Sequence, residues 1–440
     1  MNESTALAQR LAIQLGDDVD RILGQPTNTG DVYVDTRHDT GVELRQIAGL
    51  TAGATMRLSD GSYQFGQSES NHRGLNEGQP AQVGFALTVK ENETWIEAGA
   101  VDVTLNGEAI DGPTKVGDAV IEVGSARFLV ARPRRPVRRR QTNNDEFIPA
   151  ERLIEVPDLA DLSSSQSGRG RSSLLSVLRG HSQSDPAAEL LTQLVRAQRE
   201  EVIGQRRASH PHPEEIVYRA RNARSVAWDR PIDHPKFGQV PVAFADIAWR
   251  PQFDRPDRVP TSASDAFAHL QTLPSVPIVA DLRVGPLGII GSRASVLSVA
   301  RNVMLTLATV SSPDDLTIAV LADEARASQW SWADTLPHNI PEGAQAFPIL
   351  VVDGLHHASD PALEGALAST GEFGCILLGD DIEELPSVCS TVVLIDDGGT
   401  ATVIDNRTGA TTMGSTPLGL SLDLASVAVN SLRSLAVGAT

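Results

Sequence analysis

Residues 131–140 read Ala-Arg-Pro-Arg-Arg-Pro-Val-Arg-Arg-Arg, six arginines and two prolines in ten positions. Proline locks φ and removes a backbone donor, so this run can be neither a regular helix nor a central strand. A Ser/Gly/Arg stretch at 163–173 follows, and it buries too little apolar surface to offset the entropy of ordering it. The chain must therefore fold on either side of an interruption, with a linker over 132–180. The hydrophobic pattern changes across it: short alternating runs come before, a helix-period stretch and continuous aliphatic runs come after.

Of the 440 residues, 41% are hydrophobic but only 4% aromatic, so aliphatic side chains must carry the burial, and the chain is too apolar to be disordered. A net charge of −19 argues against a general coat for nucleic acid or anionic membrane. The charge is uneven: residues 1–130 hold 9 bases and 19 acids, 131–273 hold 22 and 18, and 274–440 hold 6 and 19. Contact with nucleic acid or acidic lipid would have to use the strap from Arg132 to Arg140, and a solvated linker is the plainer reading of it. Two cysteines, Cys375 and Cys389, cannot build a disulfide framework, which suits a reducing compartment. The start lacks the basic and apolar regions of a signal peptide, and no apolar run approaches ~18 residues. A cytoplasmic protein with no membrane span is expected.

After an N-terminal helical or irregular segment, 1–41, residues 42–131 carry short alternating runs such as Val42-Glu-Leu-Arg-Gln-Ile47, Val101-Asp-Val-Thr-Leu105 and Ala126-Arg-Phe-Leu-Val130. Turn signals such as Asn106-Gly107 separate them, at the spacing of a β-sandwich. The pieces Ile47-Ala-Gly-Leu-Thr-Ala-Gly-Ala-Thr-Met-Arg-Leu58, Phe65-Gly-Gln67 and Leu105-Asn-Gly-Glu-Ala-Ile110 resemble a forkhead-associated (FHA) domain. That resemblance implies a phosphothreonine reader, whose arginine position here carries Gln67, with His72, Arg73 and Asn106 as the remaining candidates. Loss of that arginine favours a structural module over a phosphopeptide reader.

A connector spans 181–260. Residues 187–208 have one apolar helical face, and His210 and His212 lie among prolines with no third ligand near, which suits a helix boundary better than a metal site. The basic-His-Pro-x-Pro turn, Trp228-Asp-Arg-Pro231 and Trp249-Arg-Pro251 resemble a segment of actinobacterial FtsK/SpoIIIE-type ATPases, which include the type VII secretion motor. In those proteins the segment follows membrane helices, of which none is evident here.

Residues 261–440 alternate aliphatic strands with helical runs, including helices at 293–310 and 325–336, and read as a doubly wound α/β domain with a mostly parallel sheet. The turn Gly288-Ile-Ile-Gly-Ser-Arg-Ala-Ser295 stands where a phosphate-binding loop would, with Gly291, Ser292 and Arg293 as candidates for a nucleotide. Such a loop needs a lysine, yet the three lysines are Lys90, Lys115 and Lys236, none of them here. Phe347-Pro-Ile-Leu-Val-Val-Asp353 resembles a Walker B strand, with Asp353 at the Mg²⁺-holding position, but Gly354, Leu355, His356 and His357 follow in place of an acid that would position water. Trp330 and Trp332 read as buried anchors, and Cys375 as a core thiol.

Together with Leu287-Gly-Ile-Ile-Gly291, these motifs resemble the degenerate first ATPase-like module of the same family. The resemblance implies a degenerate P-loop-like fold and a non-catalytic scaffold that binds or regulates an FtsK/SpoIIIE-type ATPase or another secretion-system protein, with neither ATP nor Mg²⁺ as a working cofactor. Two alternatives stand beside it: a nucleotide- or DNA-binding translocase component, and a phosphothreonine-binding adaptor.

Overall fold

The computed structural model describes residues 42–67, 82–90, 93–99, 102–133, 154, 186–222, 227–259, 261–339, 346–354 and 373–437. The segment 1–41, His72 and Arg73, Arg140 and the rest of the strap beyond residue 133, and His356 and His357 lie outside them.

The first part is a two-sheet sandwich. Its strands are β1 (Val42–Ala48), β2 (Thr55–Leu58), β3 (Gly61–Gln67), β4 (Gln82–Lys90), β5 (Glu93–Ala98), β6 (Val103–Leu105), β7 (Glu108–Ala109), β8 (Thr114–Val116), β9 (Ala119–Val123) and β10 (Ala126–Ala131). One sheet runs β2-β1-β10-β9-β6-β7 and the other β3-β4-β5-β8. Alternation puts Leu44, Leu58, Phe85, Leu87, Ile96, Ile121 and Phe128 between the sheets. Phe85 stacks on Phe65 at 4.9 Å and tilts against Phe128 at 5.5 Å, which concentrates the core in the few aromatics available. The Asn106-Gly107 turn has φ of 54° and 87°, the two left-handed residues a two-residue hairpin needs.

The second part is built on one nine-stranded sheet. Two helices, α1 (Pro186–Ser209) and α2 (Pro213–Arg221), precede β11 (Gln239–Ala248), α3 (Thr261–Ala266), β12 (Thr272–Asp281) and β13 (Leu287–Ile290). Then come α4 (Arg293–Val310), β14 (Leu316–Ala322), α5 (Glu324–Ala327), β15 (Phe347–Asp353), β16 (Gly374–Gly379), β17 (Thr391–Ile395), β18 (Ala401–Asp405), β19 (Ala410–Pro417) and α6 (Leu422–Val437). The order is β12-β11-β19-β18-β17-β13-β16-β15-β14. The last five are parallel, and their aliphatic runs are buried on both faces, as in β13, where all four residues are buried. Helix α4 packs on the sheet with α2 and α6 against it, and 14 of its residues are buried.

Three details depart from the sequence reading. The sheet is parallel only over five strands, because β18, β19, β11 and β12 continue it as an antiparallel wing. The run at 325–336 is not one helix: α5 covers four residues and 3₁₀ turns at Ser328–Trp330 and Ala333–Thr335 follow, bending the chain so that both tryptophans turn inward. The division at 260/261 separates β11 from β12, which pair from Gln239↔Asp281 to Ala248↔Thr272, so the connector's strand belongs to the α/β sheet.

The sandwich docks on this body through the turn after β1. Gly49 N–H donates to Pro417 O at 2.9 Å, Gly419 N–H donates to Gly49 O at 3.1 Å, and the Ser298 hydroxyl donates to Leu50 O. Ile47, Ala48, Val120, Phe244 and Leu418 form a joint apolar cluster. Gly53 has φ 102°, and a Cβ there would lie 2.7 Å from Leu420 Cδ1. Arg127, 6% exposed, bonds the Ser275 hydroxyl and lies 3.6 Å from Glu122.

Candidate functional site

The parallel strands order the site. From β13 the chain crosses through α4 to the far edge at β14, while β17 lies on the other side of β13, so the carboxyl end of β13 is a topological switch point, where open α/β sheets form their crevice. Gly291 turns the chain there with φ 152°, and a Cβ would lie 2.7 Å from Ile395 O, so the turn is closed to any side chain. Its N–H donates to Gly379 O at 3.3 Å. Ser292 is the N-cap of α4, but its hydroxyl lies 2.8 Å from the Ser295 hydroxyl and caps no backbone N–H.

Arg293, the first residue of α4, reaches across to the end of β15. Its Nη1 donates to Asp353 Oδ1 at 2.5 Å and its Nη2 to Oδ2 at 2.7 Å, a bidentate fork. Arg326 Nη1 donates to Oδ1 at 3.1 Å, and Trp330 Nε1 donates to Oδ2 at 2.6 Å. Gln329 Oε1 accepts from Arg293 Nε at 2.8 Å and so orients the guanidinium. A carboxylate offers about four lone-pair directions, and all are taken by these four donors. Burial pushes the Asp353 carboxyl up, but bonds from Arg293 and Trp330 and the charges of Arg293 and Arg326 outweigh it and hold it below the ordinary carboxylate range. Asp353 has no exposed surface, whereas the Arg293 and Arg326 side chains are 35% and 39% exposed.

This geometry bears on metal chemistry. Mg²⁺ takes oxygen ligands at ~2.0–2.1 Å in an octahedron, so the ion could reach Asp353 only after the arginine fork had opened. The next residue, Gly354, turns away at φ 120°. Asp323 after β14, Asp380 and Asp381 after β16, and Asp396 and Asp397 after β17 add acids at the same end of the sheet, a field that disfavours a polyphosphate.

The structure thus brings Gly291, Ser292, Arg293 and Asp353 together. Sequence reasoning missed Arg326 and Gln329, and it read Trp330 and Trp332 as buried anchors, which their 3% and 6% exposure matches, without the bond from the Trp330 indole N–H to Asp353. Of the phosphopeptide candidates, Gln67 ends β3 opposite Gln82, Asn106 lies in the turn joining β6 and β7 of the other sheet, and His72 and Arg73 lie outside the described residues. Asn106 serves the fold: its Oδ1 accepts from Val120 N–H at 2.9 Å and its N–H donates to Val120 O at 2.8 Å.

His212 caps α2, its Nδ1 accepting from Glu215 N–H at 3.1 Å, and His210 lies 3.4 Å from Gln239 Oε1. Among the described residues no group of three metal-ligating side chains converges. Cys375 and Cys389 are buried, and burial pushes both thiols up to about 12, too high for a reactive thiolate. No helix among the described residues is long and apolar enough to cross a membrane.

No known family's sequence profile matches the chain. Over 165 residues it is 28% identical to the ESX-4 secretion system protein EccC4 of Mycobacterium tuberculosis, a match covering 37% of this chain and only 13% of EccC4. The cytoplasmic domain of the type VII secretion ATPase EccC from Thermomonospora curvata aligns with a TM-score of 0.33 and 12% identity, over 47% of this chain and 32% of that one. An FHA domain from Arabidopsis thaliana aligns with a TM-score of 0.20 and 14% identity, over 25% of this chain and 99% of the domain. The chain therefore carries a weak sequence likeness to a small part of a type VII secretion ATPase, with FHA and EccC ATPase domains among its structural neighbours.

Proposed function

We propose that this protein is a non-catalytic, cytoplasmic component of a type VII-like secretion system, in which a pseudo-ATPase domain and a docked FHA-like sandwich form a scaffold for an FtsK/SpoIIIE-type motor. One observation carries the non-catalytic reading: Asp353, at the metal-holding place of the strand, has all its acceptor capacity taken by Arg293, Arg326 and Trp330. The missing loop lysine and the missing acid after Asp353 point the same way. An arginine replaces a compact ammonium poorly in a tight phosphate loop, and here its fork is already engaged. The likeness to EccC4 supports the choice of partner class.

The test is calorimetric titration of the full chain with Mg²⁺-ATP beside a thermal-melt series. A ligand at ~100 times its Kd adds about 2.7 kcal/mol to the state that binds it, so genuine binding would be visible. No heat and an unmoved melt are expected. Saturable binding that vanishes in Asp353→Ala, or phosphate release above a no-protein control, would overturn the reading.

A further inference from the structure

Helix α4 is the most buried helix of the α/β body, yet it is not apolar all round. Ser295, Ser298, Asn302, Thr306 and Thr309 recur at spacings of three, four, four and three, which on a helix of 3.6 residues per turn places them along one stripe. All five are buried, from 7% exposed at Ser295 to none at Thr306 and Thr309. The two ends of the stripe are treated differently.

At the N-terminal end protein atoms satisfy it. Ser295 bonds Ser292, and Ser298 bonds the carbonyl of Leu50, from the docked sandwich turn, and lies 3.4 Å from that of Leu420. Past this point the pattern stops. Among the described residues, Asn302 Oδ1 and Nδ2, Thr306 Oγ1 and Thr309 Oγ1 have no hydrogen-bond partner, and neither do Ser311 Oγ, just past the helix, and His338 Nδ1. His338 belongs to the same end, since its Nε2 lies 2.9 Å from Ser311 O. A ring nitrogen facing a carbonyl must carry the proton, which leaves Nδ1 as an acceptor in need of a donor.

Six buried polar atoms in one seam are too many to leave unmet, because a buried donor or acceptor without a partner forfeits the hydration it had in the unfolded chain. They also have the mixed character that water answers best: the amide of Asn302 donates and accepts, the hydroxyls do either, and His338 Nδ1 accepts. We propose that a file of ordered internal water occupies this seam from Asn302 to His338, beginning where the sandwich turn ceases to cover α4. The ligand is neutral water and not an ion, since the six open atoms are the two of an amide, three hydroxyls and one imidazole nitrogen, with no carboxylate or guanidinium among them.

Two measurements on the full chain test this. A crystal structure fine enough to place solvent is expected to show waters within hydrogen-bond distance of Asn302 and of at least two of Thr306, Thr309, Ser311 and His338. Threonine hydroxyls turned back onto their own helix carbonyls, with Asn302 on a protein partner, would overturn the proposal. In solution, oxygen-17 water relaxation dispersion counts long-lived internal waters. Thr306→Val with Thr309→Val keeps the shape and removes two partners, so the count should fall, and Thr306→Ser with Thr309→Ser should restore it. An unchanged count in a folded Val variant would refute the file. If the Val variant does not fold, the Ser variant against the parent decides: an equal, non-zero count supports the file and a zero count in both ends it.

Discussion

The sandwich and the α/β domain differ in what their polar side chains do at the positions the sequence singles out. In the sandwich position 67 carries a neutral glutamine, and Asn106 has its carboxamide oxygen taken up in holding the β6–β7 turn to β9. In the α/β domain a buried carboxylate stands at Asp353, at the carboxyl end of β15, and donors from Arg293, Arg326 and Trp330 close over it. One region uses a neutral amide to hold a turn; the other buries a charged group and pairs it internally. The second arrangement has an energetic signature that the first lacks, because a buried carboxylate ringed by donors becomes a structural element in its own right.

The strongest way to break that contrast is Asp353→Ala, which leaves Arg293, Arg326 and Trp330 without their common acceptor. It should destabilise the chain by roughly 3–5 kcal/mol in urea unfolding. Arg293→Ala on that background should add far less than it does alone; simple additivity would mean that the fork is not a coupled unit.

The next effect comes from pH. Burial lowers His338 to about 4, the bond to Ser311 only partly opposing it, and burial with the neighbouring Arg230 charge lowers His210 to about 4. Each is depressed below its unfolded value, so the unfolded chain binds protons first as pH falls. Stability is full above about 6.5 and declines toward pH 4, by roughly 3 kcal/mol per histidine over that window. Asp353, also depressed, adds its loss only below the ordinary carboxylate range. Urea midpoints at pH 7.5, 6 and 4.5 check the sign, and His338→Gln should flatten the slope.

At the joint between the two regions, Gly53→Ala would place a Cβ against Leu420 in a left-handed backbone. A loss of about 1–3 kcal/mol is expected, with both regions melting earlier together. A sandwich that melts by itself while the α/β body is unmoved would show the joint to be weak. The smallest effect belongs to position 106: Asn106→Gly should cost about 1 kcal/mol through the lost bond to Val120, and Asn106→Ala somewhat more, because alanine tolerates the turn's positive φ less well than glycine.

The period-two runs before the strap and the aliphatic runs after it are local signals, and they sufficed for the sandwich, for α4 at residues 293–310 and for the strand that ends in Asp353. The absence of a lysine from the turn at Gly291 was likewise readable from the chain alone. The antiparallel wing was not, because β11 and β19 resemble any short strand and find each other only through the sheet. Nor was the fork from Arg293 to Asp353, 60 residues away, or the bond from Ser298 to Leu50, 248 away. Periodicity and turn chemistry are written in neighbouring residues and so determine elements. Which buried donor meets which buried acceptor depends on how those elements pack, and only the tertiary structure decides it.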